Sequence, residues 1–159
     1  MNYKSLAVWI KSVLIGFALC GAVVMVFAVP AIGDSLVNIY PEFAYAYTPW
    51  LIFLWIAVAP CYAVLVLGWM IASNIARDEA FSAANAKKLK AIAVFAAVDA
   101  VYFLVGNITL LLLNMNQPGI VLVSLMIVFI GFAICVASAA LSRLTSRAAD
   151  IEDENRYTI

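Results

Sequence analysis

The chain has 159 residues, of which 67% are hydrophobic and only 11% charged, against roughly 45–50% apolar and about 25% charged in a soluble domain. With a mean hydropathy of +1.09, this composition excludes a water-soluble fold and names lipid as the main solvent. The formal charge of zero is an average, because the nine Lys and Arg residues fall at Lys4 and Lys11, between Arg77 and Lys90, and from Arg143 onward.

Four apolar runs, Leu6–Pro30, Trp50–Ser73, Ala91–Asn114 and Gly119–Ser142, each meet the roughly 20 residues that a helix needs to cross a hydrocarbon core about 30 Å thick. Backbone groups inside a bilayer must be satisfied within their own segment, so the runs are predicted helices. The expected architecture is an all-α integral membrane protein: one domain over residues 1–159, a four-transmembrane-helix bundle with spans at about 6–30, 50–73, 91–114 and 119–142 and a tail at 143–159.

The first run carries Lys4, Trp9 and Lys11 at its start. It is longer than the roughly 7–15-residue core of a signal peptide, and Pro30 stands where cleavage would occur, so an uncleaved span is expected. The connection that follows, residues 31–49, has no Lys or Arg and carries Asp34, Glu42, Tyr40, Tyr45 and Tyr47, with Trp50 just beyond. Amphipathic rings of this kind settle at the headgroup level. Because Lys and Arg accumulate on the inner side of short loops, both termini and the central loop are expected in the cytoplasm, with the chain in a bacterial cytoplasmic membrane.

Pro60 lies in the middle of the second run and predicts a static kink there. After it, Phe81-Ser82-Ala83-Ala84-Asn85 reads as a helix start: the Ser82 hydroxyl caps a free N–H of the first turn, a contact worth about 1 kcal/mol. Asn85 stands where Glu or Gln would complete a capping box and is too short to reach back well. Lys87, Lys88 and Lys90 follow at the membrane entry, positioned for anionic lipid headgroups, each attraction worth about 1 kcal/mol.

Asp99 is the one charged residue well inside a span. An aspartate at the centre of a membrane helix costs about 2.5–3.5 kcal/mol on insertion scales, so it should face the protein interior and find a partner or a proton. Lys11, with its flexible stem, is the expected partner. Asn107 lies on nearly the same helix face as Asp99, and with Thr109 it offers the alternative of an ion path. In the fourth run Gly131, Cys135 and Ala139 form a small-residue stripe, as do Ala93 with Ala97 and Gly16 with Cys20. Close packing within the chain is their default role, and homo-oligomerisation the alternative. The tail from Arg143 continues the helical period, with Leu141, Leu144, Ala148 and Ile151 along one face and a polar, acidic end.

Chemistry-bearing motifs are scarce. The three cysteines, Cys20, Cys61 and Cys135, sit in the runs without ligand spacing, and the chain has no histidine, so no metal site and no cofactor is expected. No nucleophile pairing or phosphate-binding glycine loop occurs, and an enzyme is not expected. Direct nucleic-acid binding is not expected either.

Phe81, Ser82, Asn85 and Leu89 match a Phe-Ser-x-x-Asn-x-x-x-Leu turn, and Glu154, Asn155, Thr158 and Ile159 match a Glu-Asn-x-x-Thr-Ile ending. With four spans, this pattern resembles the YoaS-like bacterial membrane proteins, domain of unknown function 2975, over nearly the whole length. Ala80 departs from it, standing where a proline often precedes the Phe-Ser pair. The family has no established activity. The resemblance implies genomic company with a small helix-turn-helix regulator, and so a membrane protein that docks such a partner. The docking candidates are Phe81, Ser82 and Asn85 in the loop and Asp150, Glu152, Asp153, Glu154, Asn155, Tyr157, Thr158 and Ile159 in the tail. The alternative is a small transporter or ion-coupled protein that uses Asp99.

Overall fold

The computed structural model describes residues 3–157, with the side chains of Asp153 and of residues 155–157 outside the described set. The chain is helical almost throughout: α1 Tyr3–Val23, a π turn Val24–Ala28, α2 Val29–Ile39, a 3₁₀ turn Pro41–Phe43, α3 Ala44–Ile75, α4 Ala83–Leu112 and α5 Pro118–Tyr157. Four columns, Tyr3–Ile39, Pro41–Ile75, Ala83–Leu112 and Pro118–Glu152, are long and apolar enough to cross a membrane. The shortest has 30 residues, about 45 Å at 1.5 Å per residue. Each therefore exceeds the hydrocarbon thickness and carries its ends into the headgroup region.

One stretch that reads as a loop is helix. The expected connection at 31–49 shrinks to Tyr40 and one 3₁₀ turn, because α2 continues past Pro30 and α3 begins at Ala44. Pro30 occupies the first turn of α2, where its missing N–H is least harmful. The π turn just before it takes up the register, with the Val29 N–H bonded to the Val24 carbonyl. In this polar stretch Ser35 bonds the Ala31 carbonyl at 2.8 Å. Helix α3 likewise runs unbroken through Pro49 and Pro60.

The columns are antiparallel and stand in sequence order: α1 packs on α3, α3 on α4, and α4 most extensively on α5. Lys11 meets Trp69, Tyr62 bonds the Ala18 carbonyl at 2.8 Å, and Tyr47 covers Gly33. On the other side Gly131 lies against Ala100 and Ala96, so this member of the fourth-span small-residue stripe packs within the chain, whereas Ala139 is exposed. The expected four-helix bundle is thus open along most of its length, with α1 and α5 each resting mainly on one neighbour and the start of α5 approaching α2 and α3 only at the apical end. Only 6% of the most apolar window is buried in the first and last columns, against 22% in α4. Lipid tails are as apolar as leucine, so no hydrophobic force closes the bundle, and small residues decide where helices meet.

The buried set is accordingly alanine-rich (Ala7, Ala46, Ala57, Ala72, Ala86, Ala93, Ala100, Ala149). Its aromatic centre is Phe53, which meets Trp50 edge-on at 5.6 Å and Phe103 in a stack at 5.3 Å. Gly106 lets that ring reach the α4 backbone.

The basal end, defined by Tyr3, the α3–α4 connection and the last turns of α5, is set apart from an apical end holding Tyr40 and the α4–α5 connection. Both connections are built alike. At the basal end Asp78 takes φ 65°, with bonds from Asp78 N to Ile75 O and from Glu79 N to Asn74 O. At the apical end Asn114 takes φ 56°, with bonds from Asn114 N to Leu111 O and from Met115 N to Leu110 O. These are Schellman motifs, which satisfy the last helix carbonyls through one left-handed residue; Asp and Asn tolerate that conformation through their short polar side chains.

Candidate functional site

Three groups of polar residues could carry function: the intramembrane carboxylate, the basal loop, and the last turns of α5.

Asp99 sits halfway along α4 and half-buried at the α3 interface. The Cys61 thiol donates to its Oδ2 at 3.6 Å and to the Ala57 carbonyl at 3.7 Å. Its other oxygen, Oδ1, is buried with no hydrogen-bond partner among the described residues. The expected Lys11–Asp99 pair is not formed. The Lys11 ammonium lies 4.9 Å from the centroid of the Trp69 ring. Trp69 is two turns from Cys61 on α3, about 12 Å along the axis, and α1 packs on α3 rather than on α4. Lys11 therefore stands at the wrong depth and on the wrong neighbour to reach Asp99.

Asn107 does not join Asp99 either. It is fully buried at the apical end, where its Nδ2 donates to the Phe103 carbonyl at 2.8 Å. Asn116 Nδ2 donates to its Oδ1 at 3.2 Å and to its backbone carbonyl at 3.3 Å. Thr109 is exposed and bonds the Val105 carbonyl of its own helix at 2.8 Å.

In the basal loop Ser82 caps α4 as expected, its Oγ accepting from the Asn85 N–H at 3.3 Å. Asn85 was expected on a docking surface, yet only 1% of it is exposed. Its Nδ2 donates to the Glu79 and Ala80 carbonyls at 3.0 and 3.1 Å, and its Oδ1 accepts from Asn74 Nδ2 at 2.8 Å. An amide excluded from water must find partners, and here two come from the connection that it closes and the third from the end of α3. Its side chain is a clasp and not a contact for a partner. Phe81 is 62% exposed, and Lys87 and Lys90 are exposed with Lys88 partly so.

The last turns of α5 pack by their small face: Ser138, Thr145 and Ala149 are buried, and Ser142 Oγ bonds the Ala86 carbonyl at 2.7 Å. The apolar stripe points away, leaving Leu141, Leu144 and Ile151 more than half exposed. Asp150, Glu152 and Glu154 are exposed beside Ile151. The side chains of Asp153, Asn155 and Tyr157, and Thr158 and Ile159 entirely, lie outside the described residues.

Comparison with known proteins bears on this arrangement. Residues 31–159 match the family described as "Protein of unknown function (DUF2975)". The chain belongs to this family. It is also 30% identical over 155 residues to "Uncharacterized membrane protein YoaS" of Bacillus subtilis (strain 168), an alignment covering 94% of each chain. No solved structure matches it. The Phe-Ser-x-x-Asn turn that carries the family resemblance thus has a structural account, with Ser82 as cap and Asn85 as clasp. Ala80, at the departure from that turn, supplies one of the carbonyls that Asn85 holds.

Sequence reasoning missed Asn74 and Asn116, which supply the partner amides, and Tyr45 and Trp50 as apical donors. The Tyr45 hydroxyl and the Trp50 indole N–H donate at 2.7 Å to the Asn114 and Met115 carbonyls. A legible signal existed for the first pair, since each asparagine flanks a predicted helix end.

Proposed function

We propose that this chain is a regulatory or accessory protein of the bacterial cytoplasmic membrane, with both termini in the cytoplasm, whose basal face docks a small cytoplasmic partner. The observation that carries the reading is the outward stripe Leu144–Ile151, with Arg143 and Arg147 beside its start and Asp150, Glu152 and Glu154 bordering its end. An apolar row flanked by acids suits a partner helix with an apolar face and a basic rim, and charge complementarity of this kind steers encounter. A helix-turn-helix regulator, with its basic DNA-reading surface, has that chemistry. Phe81 and the lysines Lys87, Lys88 and Lys90 extend the face toward the lipid headgroups. The Lys and Arg distribution supports the orientation.

A chain ending at Asp150 keeps Thr145 and Ala149 and with them the α5 packing, so it is expected to insert normally and to release the partner. Pull-down of the neighbouring gene product from membranes with full-length and shortened chains tests this. Equal retention by both removes the tail from the mechanism.

The unpartnered Oδ1 of Asp99 favours a second reading, an ion-coupled role. Proteoliposome flux that depends on pH and is lost in Asp99→Asn would support it over docking.

A further inference from the structure

A second feature lies at the apical end, away from the proposed docking face. Between α2, α3 and the first turn of α5 runs a continuous groove. Its deeper part, about 280 Å³, is lined by Val29, Ile32, Leu36, Leu51, Leu54 and Ile120 together with the Tyr47 and Trp50 rings. Its outer part, about 330 Å³, adds Tyr40, Asn116 and Gln117. Gly33 shapes the wall: a Cβ there would strike the Tyr47 ring, so only glycine lets that ring lie against α2. Asp34 stands beside the hydroxyl of Tyr47, a residue that lines both parts of the groove.

Polarity therefore rises from the mostly aliphatic deeper part to the amides and second phenol of the outer part, with the Asp34 carboxylate next to Tyr47, as it does along a phospholipid from tail to head. The rim has one sign of charge. Residues 31–49 and 115–118 hold Asp34 and Glu42 and no Lys or Arg.

We propose that this groove binds one phospholipid with an ammonium headgroup, its acyl chain along Ile32, Leu36, Leu54 and Ile120 and its amine at Asp34. The carboxylate favours a zwitterionic head group that ends in an ammonium, since an anionic lipid would bring its net charge to a rim that is already negative. Trp50 and Tyr47 hold the glycerol level, where aromatic rings prefer to lie.

The test is native mass spectrometry of the full chain in detergent after addition of equal phosphatidylethanolamine and phosphatidylglycerol. One phosphatidylethanolamine per chain is expected to survive delipidation. Ile120→Trp fills the groove from α5 and Leu36→Trp from α2, and each is expected to lower that retention about tenfold, while Val136→Trp on the outer face of α5 leaves it unchanged. Asp34→Asn is expected to abolish the preference between the two lipids. Equal retention of both lipids by the unaltered chain overturns the proposal, as does full retention in both groove variants at unchanged helicity. A dimer that disappears with Ile120→Trp would overturn it too, by showing a second copy as the occupant.

Discussion

The two ends of the molecule solve one problem with different materials. Each connection closes on a Schellman turn, and each holds one of the two most completely buried large side chains, Asn85 at 1% exposure and Asn107 at 0%. At the basal end Asn85 is satisfied locally, through Glu79 and Ala80 of its own connection and Asn74 at the end of α3. At the apical end Asn107 and Asn116 join, but the turn carbonyls of Asn114 and Met115 are taken by Tyr45 and Trp50 of α3. The basal clasp is thus local to two consecutive helices, whereas the apical one binds the α4–α5 turn to a third helix. An open bundle of helices needs such a tie most where few side chains interlock. The self-contained basal clasp also leaves the Phe81 side chain exposed at that face.

Breaking the local clasp should have the largest effect. Asn85→Leu removes three hydrogen bonds and strands the Asn74 amide and two carbonyls; buried groups left without partners cost about 1–3 kcal/mol each. Partial rescue by water reaching the basal end reduces the sum, and a loss of about 3 kcal/mol is expected. Equilibrium unfolding in mixed detergent measures it. A loss below that of the apical variants would show that the basal loop is open in solution.

Asn107→Leu should come next, at about 2 kcal/mol, because Asn116 is only partly buried and regains water when its partner is lost. Comparing Asn107→Leu with Asn116→Ala in the same assay sharpens the point. The two are expected to be strongly non-additive, since either one breaks the shared bond.

The tie across helices can be cut alone. Trp50→Phe keeps the ring against Phe53 and removes the indole N–H that holds the Met115 carbonyl. Interhelical hydrogen bonds in membranes average about 0.6 kcal/mol, and about 1 kcal/mol is expected for this short one. Hydrogen exchange should rise at the α4–α5 turn and leave the basal loop unchanged. Exchange rising at both ends would mean that the two clasps are coupled.

Much of the architecture was legible in the sequence because it follows from length and hydropathy: four columns, helical throughout, with Ser82 as a cap. Residues 31–49 misled for a physical reason. With Asp34, Glu42 and the tyrosines the stretch reads as a connection outside the spans, but Ser35 bonds its own helix, and a π turn absorbs Pro30. The open bundle could not be read, because in lipid an apolar face needs no protein cover. The Asp99 environment was half legible. Its depth and its place at an interface follow from the cost of burying charge, but its partner depends on which helices neighbour each other and at what register. That geometry gave it Cys61 in place of Lys11. Asn85 shows the same limit from the other side, since an asparagine after a cap reads equally as surface or clasp until Asn74 is placed beside it.

The smallest expected effect separates the two tryptophans that the ends employ. Trp50 acts through its N–H, whereas Trp69, near the basal end, acts through its face beneath Lys11. A cation over an indole contributes about 0.5–1 kcal/mol when exposed, and Trp69 is 41% exposed. Lys11→Met keeps the aliphatic stem on the ring and removes only the charge, so a loss of about 0.5 kcal/mol is expected, near the limit of a double-mutant cycle with Trp69→Leu. The informative quantity is the coupling and its response to Asp99. If Lys11 belongs to Trp69, the coupling is unchanged in an Asp99→Asn background, because the two groups lie about 12 Å apart along α3. A coupling that vanishes with Asp99 would return Lys11 to the carboxylate and place α1 one or two turns deeper against α3 than the structure has it.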